Sequence, residues 1–247
     1  MILFPAIDLL GGKAVRLAQG DYDRVTVYND DPVAQARSFV DGGAEWIHVV
    51  DLDGARDGVP GNLAVIERIA GETGARLEVG GGVRSLETMG RLTEAGVERV
   101  VVGTKLVTDP DFVRAAVAAF GEAIVAGIDA RDGVVAVAGW REGTATPAET
   151  LAGELAALGV RHLVYTDISR DGMQTGINTA AYQSIARAAG FAVVASGGVS
   201  TLDDIRSLAA LGDSVIEGVI AGRAIYEGVF SVRDALTVAA EEAAPRC

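Results

Sequence analysis

Two aspartates and two sets of glycines are the residues whose placement could do chemistry. Asp8 ends the apolar run Ile2 to Ile7, and Asp129 ends the run Ala123 to Ile128. A carboxyl at the end of a buried strand sits at the rim of a fold. Two such groups facing each other suit one base and one acid acting on a small molecule between them. The glycines close other apolar runs: Gly80-Gly81-Gly82 after Arg76 to Val79, Gly103-Thr104 after Arg99 to Val102, Ser196-Gly197-Gly198 after Ala192 to Ala195, and Gly222-Arg223 after Val215 to Ile220. Glycine lets the backbone approach an anion closely, and the N–H groups at a following helix start supply donors. Gly81, Gly82, Gly103 and Thr104 therefore form one candidate phosphate cradle. Ser196, Gly197, Gly198, Gly222 and Arg223 form a second. A plain tight turn is the alternative for either cradle in isolation.

Thr166 and Asp171 lie near the end of the run His162 to Tyr165 and in the loop after it. Each could orient a sugar hydroxyl or join a hydrogen-bond network with the acid, although Asp171-Gly172 is also a common turn signal. His48 and His162 have no partners at metal-ligand spacing, so structural roles are expected for them and no metal is indicated.

Eight apolar runs must position these groups; the remaining one is Trp46 to Leu52. Continuous apolar runs mark strands buried on both faces, as in a parallel sheet covered by helices. Segments of helical period separate them. Asp31 before Pro32 reads as an N-cap, Thr146-Pro147-Ala148-Glu149 as a capping box ahead of Leu151, Leu155 and Leu158, and Thr201 as the start of a helix with Leu202, Ile205 and Leu208 inward. Alternation alone leaves an open doubly wound sheet as a rival to a closed barrel. An internal repeat favours the barrel. At a shift of 116 residues, Gly43 to Ile47 falls on Gly159 to Leu163, Asp51 on Asp167, Asn62 on Asn178, and Gly81-Gly82-Val83 on Gly197-Gly198-Val199. Four βα units cannot close alone, whereas two copies can. The expected fold is thus an α/β (β/α)8 TIM barrel of one domain, 1–247, made of half-barrels of about 1–120 and 121–247. In it, Asp8 and Asp129 lie on opposite sides of the mouth. The two cradles oppose each other, which calls for a substrate with an anion at each end.

Composition agrees. Hydrophobic residues are 49% and charged residues 22% of the 247, enough for a large core and unlike a disordered chain. The net charge of −13 argues against nucleic-acid and anionic-membrane partners. The lone cysteine, Cys247, can form no intrachain disulfide. The opening Met1-Ile2-Leu3-Phe4-Pro5 lacks a basic lead and its apolar stretch is broken by Asp8, so a buried strand in a cytoplasmic protein is expected.

With these residues in place, the chain resembles the phosphoribosylformimino aminoimidazole carboxamide ribotide isomerase family along essentially its whole length. The matching stretches are Pro5-Ala6-Ile7-Asp8-Leu9, Val15-Arg16-Leu17, Gln19-Gly20-Asp21-Tyr22, Val50-Asp51-Leu52-Asp53-Gly54-Ala55, Gly80-Gly81-Gly82-Val83-Arg84, Gly139-Trp140, Thr166-Asp167-Ile168-Ser169-Arg170-Asp171-Gly172 and Ser196-Gly197-Gly198-Val199. The resemblance implies an Amadori rearrangement of a bisphosphate aminoaldose to an aminoketose, with no cofactor and no obligatory protein partner. It implies Asp129 as the acid that opens the ribose ring and Asp8 as the base at C2. It also implies that Trp140 stacks on the substrate's imidazole, that Arg16 reaches the substrate from the loop after strand one, and that Gly20 belongs to the binding site.

Three alternatives are weighed. The cyclase subunit of imidazole glycerol phosphate synthase is similar but carries lysine where this chain has Arg16. The bifunctional isomerase that also converts phosphoribosyl anthranilate carries arginine two residues before the loop tryptophan, where this chain has Ala138, although Arg141 is nearby. A non-catalytic barrel binding phosphorylated metabolites would not need both aspartates.

Overall fold

All eight apolar runs form strands in a computed structural model, which describes residues 1–18, 20–140, 142–173 and 175–243. In chain order the strands are β1 (Ile2–Leu10), β2 (Lys13–Ala18), β3 (Asp21–Asn29), β4 (Trp46–Asp51), β5 (Arg76–Gly80), β6 (Arg99–Val102), β7 (Ile124–Arg131), β8 (Val134–Val137), β9 (Glu142–Pro147), β10 (His162–Asp167), β11 (Val193–Ser196) and β12 (Ile216–Ala221). Parallel pairing runs β1-β4-β5-β6-β7-β10-β11-β12 and returns from β12 to β1. The result is a closed eight-strand parallel barrel with helices between its strands, a (β/α)8 TIM barrel. A closed ring removes sheet edges, which an open doubly wound sheet keeps. β1 and β7 are four strands apart in either direction, so they lie diametrically opposite.

The eight barrel strands are largely buried on both faces because helices pack outside while side chains fill the interior. Outside, Leu77, Val79 and Leu163 belong to one continuous core with helix residues such as Ile66, Ile69, Met89, Ile185 and Ile205. Inside, Phe4, Ala6, Trp46, Val125, Val164, Val194 and Ile220 form a separate cluster. Arg76 and Arg99 lie over the Trp46 ring at 4.1 and 4.7 Å. This packing fills the N-terminal half of the barrel, and the cavity lies at the other end.

The helix starts follow local chemistry. Asp31 accepts a hydrogen bond from Val33 N at 3.1 Å, with Pro32 at the first helical position. Thr201 and Asp204 form a reciprocal capping box. The expected capping box at Thr146 does not form: Thr146 lies in β9, and Pro147 precedes the helix Ala148–Ala157 without a side-chain cap. Its first amide is instead satisfied by the backbone, Ala148 N donating to Gly133 O at 2.9 Å, because the chain enters the helix from a hairpin.

That hairpin, β8–β9, extends β7 beyond the barrel rim, and β2–β3 does the same for β1. Neither was anticipated. As a consequence Asp8 and Asp129 are not the last residues of their strands. Asp8 pairs with both Val50 of the barrel and Val15 of the hairpin. Asp129 pairs with Thr166 just before β7 leaves the rim.

Candidate active site

A cavity of about 320 Å³ opens at the C-terminal end of the barrel, within the size range of small-molecule sites. Asp8 and Asp129 enter it from opposite walls. All of the glycines named above as phosphate cradles, with Thr104, Ser196 and Arg223, line it, as do Arg16, Gly20, Trp140, Thr166 and Asp171.

The glycines have a packing reason to be glycine. Each of Gly81, Gly82, Gly197 and Gly198 has positive φ. A Cβ on Gly81 would lie 2.2 Å from Asp51 O, and one on Gly197 would lie 2.6 Å from Asp167 O. The loop after β4 is thus pressed against the loop after β5, and the loop after β10 against the loop after β11. Asp51 stiffens the first contact by accepting from Gly54 N at 2.9 Å, Gly61 N at 2.7 Å and Asn62 Nδ2 at 2.7 Å. Asp53 and Asn62 then fix the β1–β2 turn, accepting from Gly11 N at 2.6 Å and Gly12 N at 2.9 Å. The Asp51 to Ala55 stretch therefore frames the mouth.

The cavity's charge differs from that of the whole chain. Four basic side chains, Arg16, Arg84, Lys105 and Arg223, line it against three carboxylates, Asp8, Asp129 and Asp171. Arg84 and Lys105 follow β5 and β6, while Arg223 follows β12 on the opposite side. Positive charge therefore flanks both ends of a middle that holds the carboxylates. Arg84 entered the sequence reading only within a matched stretch, and Lys105 was missed although it directly follows Thr104. Lys105 is paired with Asp109 at 2.8 Å. Arg223 donates to Glu227 at 2.6 Å and to Gly172 O at 2.7 Å.

The two central carboxyls have different surroundings. Arg16, which stands on β2 and not in a loop, donates to Asp8 Oδ2 at 3.1 Å and to Asp171 Oδ1 at 3.2 Å. Burial pushes the Asp8 carboxyl above the ordinary carboxylate value, and the Arg16 charge pulls it back. Among the described residues no guanidinium is bonded to Asp129. Burial raises it too, opposed by the nearby Thr166 hydroxyl and Trp140 indole N–H, which favour the ionised form.

Trp140 is brought there by a strained loop. Ala138, Gly139 and Trp140 all take left-handed φ, at 55°, 65° and 69°. For alanine and tryptophan this costs energy that surrounding contacts must offset. One contact is Ala138 N donating to Thr104 Oγ1 at 3.1 Å, which ties the loop to a cradle. Another is the ring itself, which rests on Gly20, where a Cβ would lie 3.3 Å from Trp140 Cε3. Arg141 lies outside the described residues.

His48 was expected to be structural, yet it lines the cavity. His162 lies lower in the barrel, with Nδ1 3.0 Å from Glu217. No helix among the described residues is long and apolar enough to cross a membrane.

A family model described as "Histidine biosynthesis protein" matches residues 2–231. Among curated relatives, one from Desulfitobacterium hafniense is 54% identical over 241 residues, covering 96% of this chain and 97% of the relative. One from Moorella thermoacetica is 48% identical over 241 residues, covering 98% and 99%. One from Roseiflexus castenholzii is 50% identical over 236 residues, covering 96% and 98%. All three carry the name 1-(5-phosphoribosyl)-5-((5-phosphoribosylamino)methylideneamino) imidazole-4-carboxamide isomerase.

Proposed function

The chain belongs to the histidine biosynthesis protein family, and we propose that it is an aldose–ketose isomerase converting the bisphosphate aminoaldose of its relatives' name to the aminoketose. The observation that carries this reading is the layout of the mouth: two opposed carboxyls between two glycine-lined, positively flanked walls. A substrate with a phosphate at each end would span these walls and hold its reacting ribose between the carboxyls.

Asp129, among neutral donors, is suited to keep a proton and deliver it to the ribose ring oxygen as the C1–O bond breaks and the nitrogen lone pair forms the imine. Asp8, beside the Arg16 guanidinium, is suited to stay ionised and remove the C2 proton. The released electron pair forms the C1–C2 double bond of the enolamine, which tautomerises to the ketone as C1 gains a proton. The contrast between a guanidinium on Asp8 and neutral donors on Asp129 supports this order. Arg16 and Asp171 would orient the sugar, Trp140 would stack on the imidazole, and the reaction calls for no cofactor. We place the enzyme in the cytoplasm with no obligatory protein partner.

Trp140→Phe keeps a ring for stacking but removes the indole N–H directed at Asp129. It is expected to lower kcat by about tenfold, the worth of one hydrogen bond to the carboxylate that Asp129 becomes as it gives up its proton, with KM nearly unchanged. Steady-state kinetics check this, and an unchanged kcat would remove Trp140 from the acid's surroundings.

The function itself is tested by turnover in EDTA on the bisphosphate aminoaldose and on phosphoribosyl anthranilate. Activity on the first alone is expected: the relatives' names carry that reaction only, and Ala138 stands where the bifunctional enzymes have arginine. Binding of the aminoaldose without turnover would favour a non-catalytic barrel.

A further inference from the structure

Beneath the two carboxyls, β4 and β5 carry a polar cross-strand pair inside the barrel. His48 and Glu78 are register partners, and His48 Nδ1 lies 2.8 Å from Glu78 Oε1. Glu78 is fully buried, and among the described residues its other oxygen has no hydrogen-bond partner; Arg99 Nη1 lies 3.9 Å away and makes no hydrogen bond either, the guanidinium being bonded to Glu217 through Nη2. A buried carboxylate so poorly satisfied costs stability that well-packed apolar side chains would not.

The other half of the chain shows that the barrel does not need it. At the shift of 116 residues, His48 falls on Val164 and Glu78 on Val194. These two valines are also register partners, on β10 and β11, and both are buried in the inner cluster. The same place in the architecture is thus filled once by an apolar pair and once by a polar pair. A costly polar pair where an apolar pair packs well points to function.

The placement of His48 says what that function is. It lines the same cavity as Asp8 and Asp129, one layer below Asp8, since His48 is the register partner of Ala6. A carboxylate can only accept, so an ionised Glu78 holds the proton on Nδ1 and leaves Nε2 as the acceptor of a ring that lines the cavity. Among the described residues Nε2 has no hydrogen-bond partner.

Resting on the isomerase reading above, we infer that His48 is a substrate-facing residue whose Nε2 binds a ribose hydroxyl at the floor of the site, and that Glu78 is the positioning residue that fixes its ring. The pair stands on one half of the mouth only. It therefore distinguishes the Asp8 side from the Asp129 side and orients the sugar between them.

The chain has only two histidines, so nitrogen-15 spectra of histidine-labelled protein resolve both rings. His48 is expected with its proton on Nδ1, and its Nε2 signal is expected to shift when the aminoaldose is added to Asp129→Asn protein, which holds the substrate without turnover. Glu78→Val is expected to give a mixture of tautomers and at least a tenfold loss in kcat/KM. Glu78→Gln, whose amide oxygen still accepts from Nδ1, is expected to recover most of that loss. The double variant His48→Val with Glu78→Val copies the pair of the other half. It is expected to melt no lower than the parent and to lose at least tenfold in kcat/KM.

Parental kinetics in the double variant, or an Nε2-protonated His48 in the parent, would overturn the inference. So would a Glu78→Gln variant as impaired as Glu78→Val, or an Nε2 signal that ignores the substrate. If the double variant does not fold, the tautomer spectra and the Gln–Val comparison decide. A parent chain with no turnover would instead sink the isomerase reading, while the tautomer in free protein would still judge whether Glu78 holds the ring.

Discussion

Asp129→Asn is expected to lower kcat by roughly 10²- to 10⁴-fold, the usual worth of one acid–base group, with substrate binding nearly intact. The amide keeps the shape and can still pair with Thr166, but it cannot deliver a proton. Asp8→Asn should do the same. There the binding groups survive because Arg16 retains Asp171 at 3.2 Å. Turnover at the parental rate in either variant would refute the assigned acid–base pair.

A stability effect accompanies the loss. Burial raises the Asp129 carboxyl above its ordinary value of 3.8 in the folded chain. Below the unfolded value both states hold the proton and there is no penalty. As pH rises from the unfolded to the folded value, the unfolded state releases its proton first, so stability falls across that window and remains lower above it. Asparagine has no such titration. Melting curves should therefore show Asp129→Asn gaining on the parent as pH rises through the carboxylate range, with the full gain at neutral pH. A gap that does not change with pH would mean that burial of this carboxyl carries no stability cost.

Gly82→Ala is expected to be the most damaging change of one methyl group. Its Cβ would lie 2.0 Å from Gly54 O, against backbone that cannot swing aside, and at a φ of 72° that alanine resists. The loop after β5 must move, which is expected to cost about 3 kcal/mol or more and to raise KM sharply by spoiling the cradle beside Arg84. Gly198→Ala, 2.4 Å from Gly176 O, should act alike on the opposite cradle. Gly90→Ala is the control. It lies in the helix Leu86–Glu94 with nothing within 4 Å of the added carbon, and should stabilise by roughly 0.5–1 kcal/mol. Denaturant melts and substrate titrations of the three variants distinguish strain from a general intolerance of substitution. Equal stability of Gly82→Ala and the parent would mean that the two loops are not in fixed contact.

Much of the site was legible because it follows from strand order. Once the chain alternates β and α, the ends of its apolar runs must gather at one rim, and the glycines, Asp8 and Asp129 with them. The strands that extend β1 and β7 were missed although a signal for each was present. Gly11-Gly12, between β1 and β2, and Asp132-Gly133, between β7 and β8, take positive φ, the two-residue turns such dipeptides favour. Thr146 was misread because a capping pattern competes with strand pairing, and the hairpin supplied the amide's partner first.

The sequence by itself determined the barrel, the opposed carboxyls and the glycine walls, because each depends on local periodicity or on one residue's own chemistry. Only the tertiary structure decided that Arg16 bridges Asp8 and Asp171, that Trp140 reaches Asp129 over Gly20, and that His48 is held by a buried Glu78. Those contacts join strands or loops that are distant in the chain, and their geometry is set by register, closure of the barrel and the desolvation that closure imposes.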